Sequence, residues 1–163
     1  MKLRPYQEEA VTSTFRYING GGKSGIMALI TAAGKSVVIA EICKRILTKK
    51  SHVKIMMLTH VKELIEQNFK RLKAVWPHAP AGIYSAGIKR RQFGLPIIYA
   101  GIQSAYKQPA LFGKVNLILI DEAHLVSDQD ETMYASFIKA LKEKNPDLVV
   151  IGLTATAYRQ GLG

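Results

Sequence analysis

Gly-Lys-Ser occurs twice near the start of the chain, as Gly22-Lys23-Ser24 and as Gly34-Lys35-Ser36. The tripeptide carries the chemistry of a phosphate loop: glycine lets backbone N–H groups approach an anion, lysine adds a point charge, and the hydroxyl can ligate a divalent cation. A tripeptide recurs by chance, so a partner is needed. The partner is the apolar run Leu117-Ile118-Leu119-Ile120, which ends in Asp121-Glu122. Two carboxylates at the end of a buried strand cannot be left unpaired without a large cost. A divalent cation could neutralise one of them; a strand followed by a solvated acidic turn is the alternative.

The elements that must position these groups decide between the two sites. Apolar, β-branched runs of strand length fall at residues 26–30, 53–58, 97–100, 115–120 and 148–153. Most lack polar alternation, as strands covered on both faces do. Helical spacing occupies 5–18, opened by Pro5, and 35–47, with Val38, Ile39, Ile42 and Ile46 on one side. It recurs over 61–76 through Leu64, Ile65, Phe69 and Leu72, and over 131–144 through Tyr134, Phe137, Ile138 and Leu141. This alternation predicts an α/β domain with a mainly parallel sheet and helices on both faces. Gly- or Pro-rich loops are expected at 19–25 and 77–80.

A phosphate loop must follow a buried strand and open a helix, so that N–H groups and the helix N-terminus converge on one point. Gly34-Lys35-Ser36 satisfies this, with the strand at 26–30, a loop over 31–34 and a helix from Lys35. Gly22-Lys23-Ser24 precedes the strand and belongs at the opposite end of the sheet, so it reads as a flexible connection imitating the motif. Asp121 and Glu122, at the C-terminal end of a parallel strand, belong beside the 34–36 loop, where open α/β sheets bind ligands. The match to G-x-x-x-x-G-K-[ST] is incomplete, since Leu29 stands at its first position.

The bulk composition narrows the partners. The 163 residues suit one domain, and 48% hydrophobic content is globular. No apolar run approaches the ~20 residues of a membrane span, and the opening MKLRPYQEEA is not a signal peptide. The single cysteine, Cys43, excludes an internal disulfide and a cysteine-rich zinc site, and makes a cytoplasmic, reducing setting the default. A net charge of +11, from 23 basic and 12 acidic residues, favours a polyanionic partner, most simply nucleic acid. A basic protein without such a partner is the alternative.

Five ordered stretches carry a resemblance: Leu3-Arg4-Pro5-Tyr6-Gln7, Thr31-Ala32-Ala33-Gly34-Lys35-Ser36, Thr59-His60-Val61-Lys62-Glu63-Leu64, Asp121-Glu122-Ala123-His124 and Leu153-Thr154-Ala155-Thr156. Together they resemble the motifs of superfamily 2 helicases, along nearly the whole chain. Tyr84-Ser85-Ala86-Gly87-Ile88-Lys89-Arg90-Arg91 and the ending Gly152–Arg159 look most like the DNA-directed branch of RadD-like repair helicases and type III restriction subunits. His124 departs from the RNA-directed branch, whose motif ends in Asp. The resemblance implies a RecA-like P-loop NTPase domain over 1–163 that uses ATP and Mg²⁺. It also implies a second RecA-like domain, normally in the same polypeptide and absent from this chain, which stops at Gly163.

The roles it implies are specific. Gln7 would read the adenine edge and Arg4 would help hold the base, unless Arg4 is only a surface ion pair. Thr31, Ala32, Ala33 and Gly34 would form the phosphate loop, with Lys35 on the β- and γ-phosphates. Ser36 and Asp121 would hold Mg²⁺, and Glu122 would orient and deprotonate the attacking water. His124, Thr154 and Thr156 would couple the γ-phosphate state to a neighbouring domain, or simply cap strand ends. Nucleic acid, DNA rather than RNA, would meet His60, Lys62, Gln103 and Ser104. The Lys89-Arg90-Arg91 triplet, in a predicted loop, would extend that contact or form a solvated turn. Lys44, Arg45, Lys49 and Lys50 read as a solvated helix face.

One residue departs from the family's pattern inside the loop. Ala32 replaces a glycine; alanine would cost ~1 kcal/mol there if φ were positive, and nothing if φ were negative. Two competing functions remain at this point: another P-loop NTPase or kinase, and a nucleic-acid or partner-binding domain that hydrolyses nothing.

Overall fold

The structure, a computed structural model, describes residues 2–28, 32–122 and 127–154. Thr31, His124, Thr156 and Arg159 lie outside the described residues. Seven strands form one sheet among those described: β1 (Ser24–Ala28), β2 (Ile55–Thr59), β3 (Ala81–Ser85), β4 (Arg90–Arg91), β5 (Ile97–Gly101), β6 (Leu117–Asp121) and β7 (Val149–Thr154). Their order is β1-β7-β6-β2-β5-β3-β4. Every pairing is parallel except that of β3 with β4, as the alternation of strand and helix predicts.

The missing polar alternation is explained by cover on both faces. In β2, Ile55 and Met57 join a core with Tyr99, Leu119 and Ile151, beneath α1 (Pro5–Asn19), α2 (Ala32–Lys49) and α3 (Lys62–Val75). Met56 and Leu58 point the other way, into a core with Ile98, Ile118 and Ile120. That second core is closed by Tyr134, Phe137 and Leu141 of α5 (Asp128–Lys144) and by Phe112. A strand buried on both sides has no solvent face on which to place polar residues.

Differences from the sequence reading have local causes. Helix α5 begins at Asp128 rather than 131, because Ser127 caps it by accepting from Asp130 N at 3.1 Å. Asp128, Asp130 and Glu131 in its first turn face the positive end of the helix dipole. Helix α2 begins at Ala32, which puts Ala32, Ala33 and Gly34 in a helix rather than a loop. A helical residue has negative φ, so the positive-φ cost considered for Ala32 does not arise. Strand β3 has little local signal, because Ala81-Gly82 has weak strand propensity beside the prolines at 77 and 80. Arg90 and Arg91 are not in a loop: they pair antiparallel with Ser85 and Tyr84 as the edge strand β4. Between β5 and β6 lie the short helix α4 (Ile102–Ala105) and a 3₁₀ turn at Pro109–Phe112.

The first Gly-Lys-Ser is a fitted turn, not a flexible connection. Gly20, Gly21 and Gly22 N–H groups bond back to Arg16, Ile18 and Tyr17 carbonyls at 3.0 Å. The Tyr17 hydroxyl meets both Ser24 N and Ser24 O. A Cβ on Gly22 would run into the ring of exposed Tyr17, which would have to swing aside. Arg45, read as part of a solvated face, instead ties α2 to α1. Its guanidinium donates to Glu8 at 2.8 and 2.9 Å and to Glu41 at 2.9 Å, which holds the Glu8 carboxyl below its usual range.

Candidate active site

At the C-terminal edge of the sheet, the first turn of α2 meets the end of β6. Lys35 Nζ lies 2.8 Å from Asp121 Oδ1 and also contacts Glu122 Oε1. Lys35 and Asp121 are both 1% exposed. The Lys35–Asp121 contact is close without having hydrogen-bond alignment; it acts as an ion pair, since Coulomb attraction depends on distance. One lysine thus neutralises one of two carboxylates at the foot of the phosphate-loop sequence. Gly34 and Ser36, which flank it, are buried with it.

Backbone geometry explains how adjacent carboxylates reach the same lysine. Successive side chains of a strand point to opposite faces. Glu122 has φ 59°, in the left-handed region. That reversal ends the alternation just after Asp121, so both acids turn to Lys35. A non-glycine residue held there stores about 1–3 kcal/mol, a cost seen most often at functional sites.

Asp121 has further neighbours that sequence reasoning missed. Asn68 Nδ2 donates to Asp121 Oδ2 at 2.6 Å, with both side chains buried. Asn68 occupies the inward stripe of α3 with Ile65, Leu72 and Val75. A polar residue at that helical spacing was the available signal. Tyr99 and Tyr134 also line this region. Burial pushes both phenols well above their usual range, and the Asp121 charge adds to the shift in each. Burial pushes the Cys43 thiol, beside Tyr99, up to about 12. All three are neutral near pH 7.

The predicted base-reading residues start α1. Gln7 is buried, and its Oε1 accepts from Arg4 N at 2.8 Å. The Arg4 guanidinium has only donors and cannot complete a reciprocal capping box; its backbone carbonyl accepts from Gln7 N at 2.9 Å instead. The Gln7 amide is therefore held in place with its NH₂ still available as a donor. Arg4 is exposed.

The predicted nucleic-acid residues gather at the ends of β2, β5 and β3, along the same edge. Gln103 Nε2 donates to His60 O at 3.1 Å, and Ala86 N donates to Ser104 Oγ at 3.0 Å. The stem of exposed Lys62 packs over Gly87, where a Cβ would stand 3.2 Å from it. Lys89 ends a 3₁₀ turn (Ala86–Ile88) with φ 61°, and Arg91 is exposed. Arg90 is more constrained: its guanidinium lies 5.2 Å from the Phe69 ring centroid and bonds Gln92 at 2.7 Å. His60 Nδ1 stands 3.4 Å from the Tyr134 hydroxyl. Thr154 ends β7, the strand between β1 and β6, and is buried. Lys23, in contrast, lies at the other edge, in an exposed ion pair with Asp147 at 3.0 Å.

No helix among the described residues is long and apolar enough to cross a membrane. Comparison with known proteins agrees with the fold and the motifs. Over 99% of its length the chain superposes on the UvsW helicase of bacteriophage T4, with a TM-score of 0.73, 21% identity and 55% of that chain covered. The SWI2/SNF2 ATPase core of Sulfolobus solfataricus, solved with double-stranded DNA, gives a TM-score of 0.70 at 19% identity, covering 99% of this chain and 34% of that one. At these identities the likeness is one of fold: a helicase-type RecA-like domain. IRC3 of Saccharomyces cerevisiae, whose name describes a candidate ATP-dependent helicase, is 28% identical over 170 residues. That match takes in 96% of this chain but 24% of the yeast protein, so the chain spans about a quarter of its length. The model of the type III restriction enzyme res subunit matches residues 1–159, and the chain belongs to that family.

Proposed function

We propose that the chain is the ATP-binding motor domain of a DNA helicase or translocase inside the cell, coupling Mg-ATP hydrolysis to movement along the nucleic acid. The observation that carries this reading is the cluster of buried Lys35 and Asp121 with Glu122, on the sheet edge that also carries His60, Gln103 and Ser104. Without nucleotide, Lys35 offsets one of the two acid charges. In the working state it would turn to the β- and γ-phosphates, freeing Asp121 and Glu122 for their own tasks. The donor set suits Mg²⁺: the Ser36 hydroxyl and one Asp121 oxygen are hard oxygen ligands. Among the described residues no three His, Cys, Asp or Glu side chains group to form a protein cage. Mg²⁺ is bound in that way, by one or two protein ligands with waters and phosphate oxygens, and it would supply charge neutralisation at the phosphates.

The chain's other residues would then act as follows. Gln7 donates to the adenine edge while Arg4 N holds its carbonyl oxygen. Glu122, held by its left-handed backbone, aligns a water and takes its proton. Thr154, His124 and Thr156 report the phosphate state. Lys62 and the helix N-terminus behind His60 hold strand phosphates, with Lys89 and Arg91 extending the track and Arg90 anchored on Phe69. DNA is favoured over RNA by the family to which the chain belongs. A second RecA-like domain of the native polypeptide would supply the arginine that stabilises the transferred phosphoryl group.

The test is ATP affinity and turnover of this chain, with and without DNA. It should bind Mg-ATP, turn over well below ~1 s⁻¹ and respond weakly to DNA, since an arginine contributed from a second domain is worth ~10³–10⁵ in rate. No nucleotide binding would overturn the reading. Turnover at ~1 s⁻¹ or faster would remove the need for a second domain.

A further inference from the structure

The Asp121 carboxylate is held at both oxygens by different kinds of partner. Oδ1 faces Lys35 at 2.8 Å, and Oδ2 accepts from Asn68 Nδ2 at 2.6 Å. The lysine contact must be given up when nucleotide enters. The Asn68 amide is neutral and buried in the packed face of α3, and a bond this short to a carboxylate is of the stronger, charge-assisted kind. Asn68 therefore sets the plane of the carboxylate in the loaded state. It also rides on α3, which starts at Lys62, just after His60 and Val61. The helix is continuous from Lys62 to Val75, and Asn68 stands one and two-thirds turns, about 9 Å, along it from Lys62. A rigid helix passes a shift at one end to the other.

We propose that Asn68 is a positioning residue joining the two functions of this edge: it orients Asp121 towards Mg²⁺ and makes that orientation depend on nucleic acid held at the start of α3. This role rests on the function proposed above. Thermodynamic reciprocity then requires that nucleic acid tighten Mg-nucleotide binding by the same factor that Mg-nucleotide tightens nucleic-acid binding. Groups that orient a metal's protein ligand typically change metal affinity by ~10–100-fold when removed.

The experiment measures affinity for a fluorescent ATP analogue in Mg²⁺ and in EDTA, each with and without a DNA oligonucleotide. The samples are the full polypeptide and its Asn68→Leu and Asn68→Ala variants; leucine keeps α3 packed. The variants should lose ~10-fold or more of the Mg²⁺-dependent affinity, keep the EDTA affinity within about twofold, and show a DNA effect close to one. A lower melting temperature with Mg²⁺ dependence and DNA effect intact would reduce Asn68 to a structural role and overturn the proposal. If neither variant folds, the side-chain amide resonance of Asn68 in the wild-type protein decides. It should shift on adding DNA alone, and an unmoved resonance overturns the proposal. Wild-type protein that binds no Mg-nucleotide sinks the function reading and this role together. Wild-type binding with unaltered variants sinks this role only.

Discussion

The two Gly-Lys-Ser segments are chemically identical, yet they stand at opposite edges of one sheet in opposite surroundings. At the first, Lys23 is in solvent, paired with a still more exposed Asp147, and the Tyr17 ring lies on the glycine. At the second, Lys35 is buried against two carboxylates. A parallel strand has two distinct ends. A segment entering β1 meets the starts of β7 and its neighbours, whereas one leaving it meets the carboxyl ends, where helix N-termini and strand-end acids converge. Direction of travel through the strand, more than residue type, separates a turn from a candidate phosphate site.

Lys35→Ala should break the comparison most visibly. Nucleotide affinity should fall by about 100-fold or more, close to ~3 kcal/mol. Removing the buried cation also leaves Asp121 facing Glu122 uncompensated, so chemical denaturation should show a loss of ~3 kcal/mol in stability. A Lys35→Ala protein that keeps full affinity would mean that the second segment is not the phosphate site.

Nucleic-acid binding tests the whole edge. Affinity of the chain for DNA should fall by ~0.9 log units per log of salt for each phosphate neutralised. Lys62→Ala should reduce that slope by about one contact, read by a salt titration in fluorescence anisotropy. The same change at Lys23 should leave the slope alone. Equal losses at both positions would place a contact surface on the wrong edge.

Gly22→Ala sharpens the contrast from the other side. Its Cβ would push the exposed Tyr17 ring aside and break the hydroxyl's bond with Ser24 N, a loss of ~1 kcal/mol. Stability should drop by that amount while nucleotide affinity stays unchanged. Least of all, Lys23→Ala should cost under ~1 kcal/mol, as exposed pairs do, with no change in affinity. An affinity loss there would return a functional role to the first segment.

The sequence by itself determined the fold class, since uninterrupted β-branched runs between amphipathic helices leave little besides a doubly covered parallel sheet. It also singled out Lys35, Asp121 and Glu122, because a strand followed by a glycine-bearing helix start, and a strand ending in acids, are local patterns. Weak local signals hid β3, the Arg90–Arg91 edge strand and the helical start at Ala32. Small residues beside prolines carry little propensity, and edge pairing depends on a partner distant in sequence. Only the tertiary structure showed that Asn68 holds Asp121, that Arg45 clamps α1 to α2, and that Glu122 takes a left-handed turn so both acids face one lysine. These arise from contacts between residues tens of positions apart, or from backbone angles that side-chain types do not specify. Periodicity can say which face of a helix is buried, but only packing decides what a buried polar group touches.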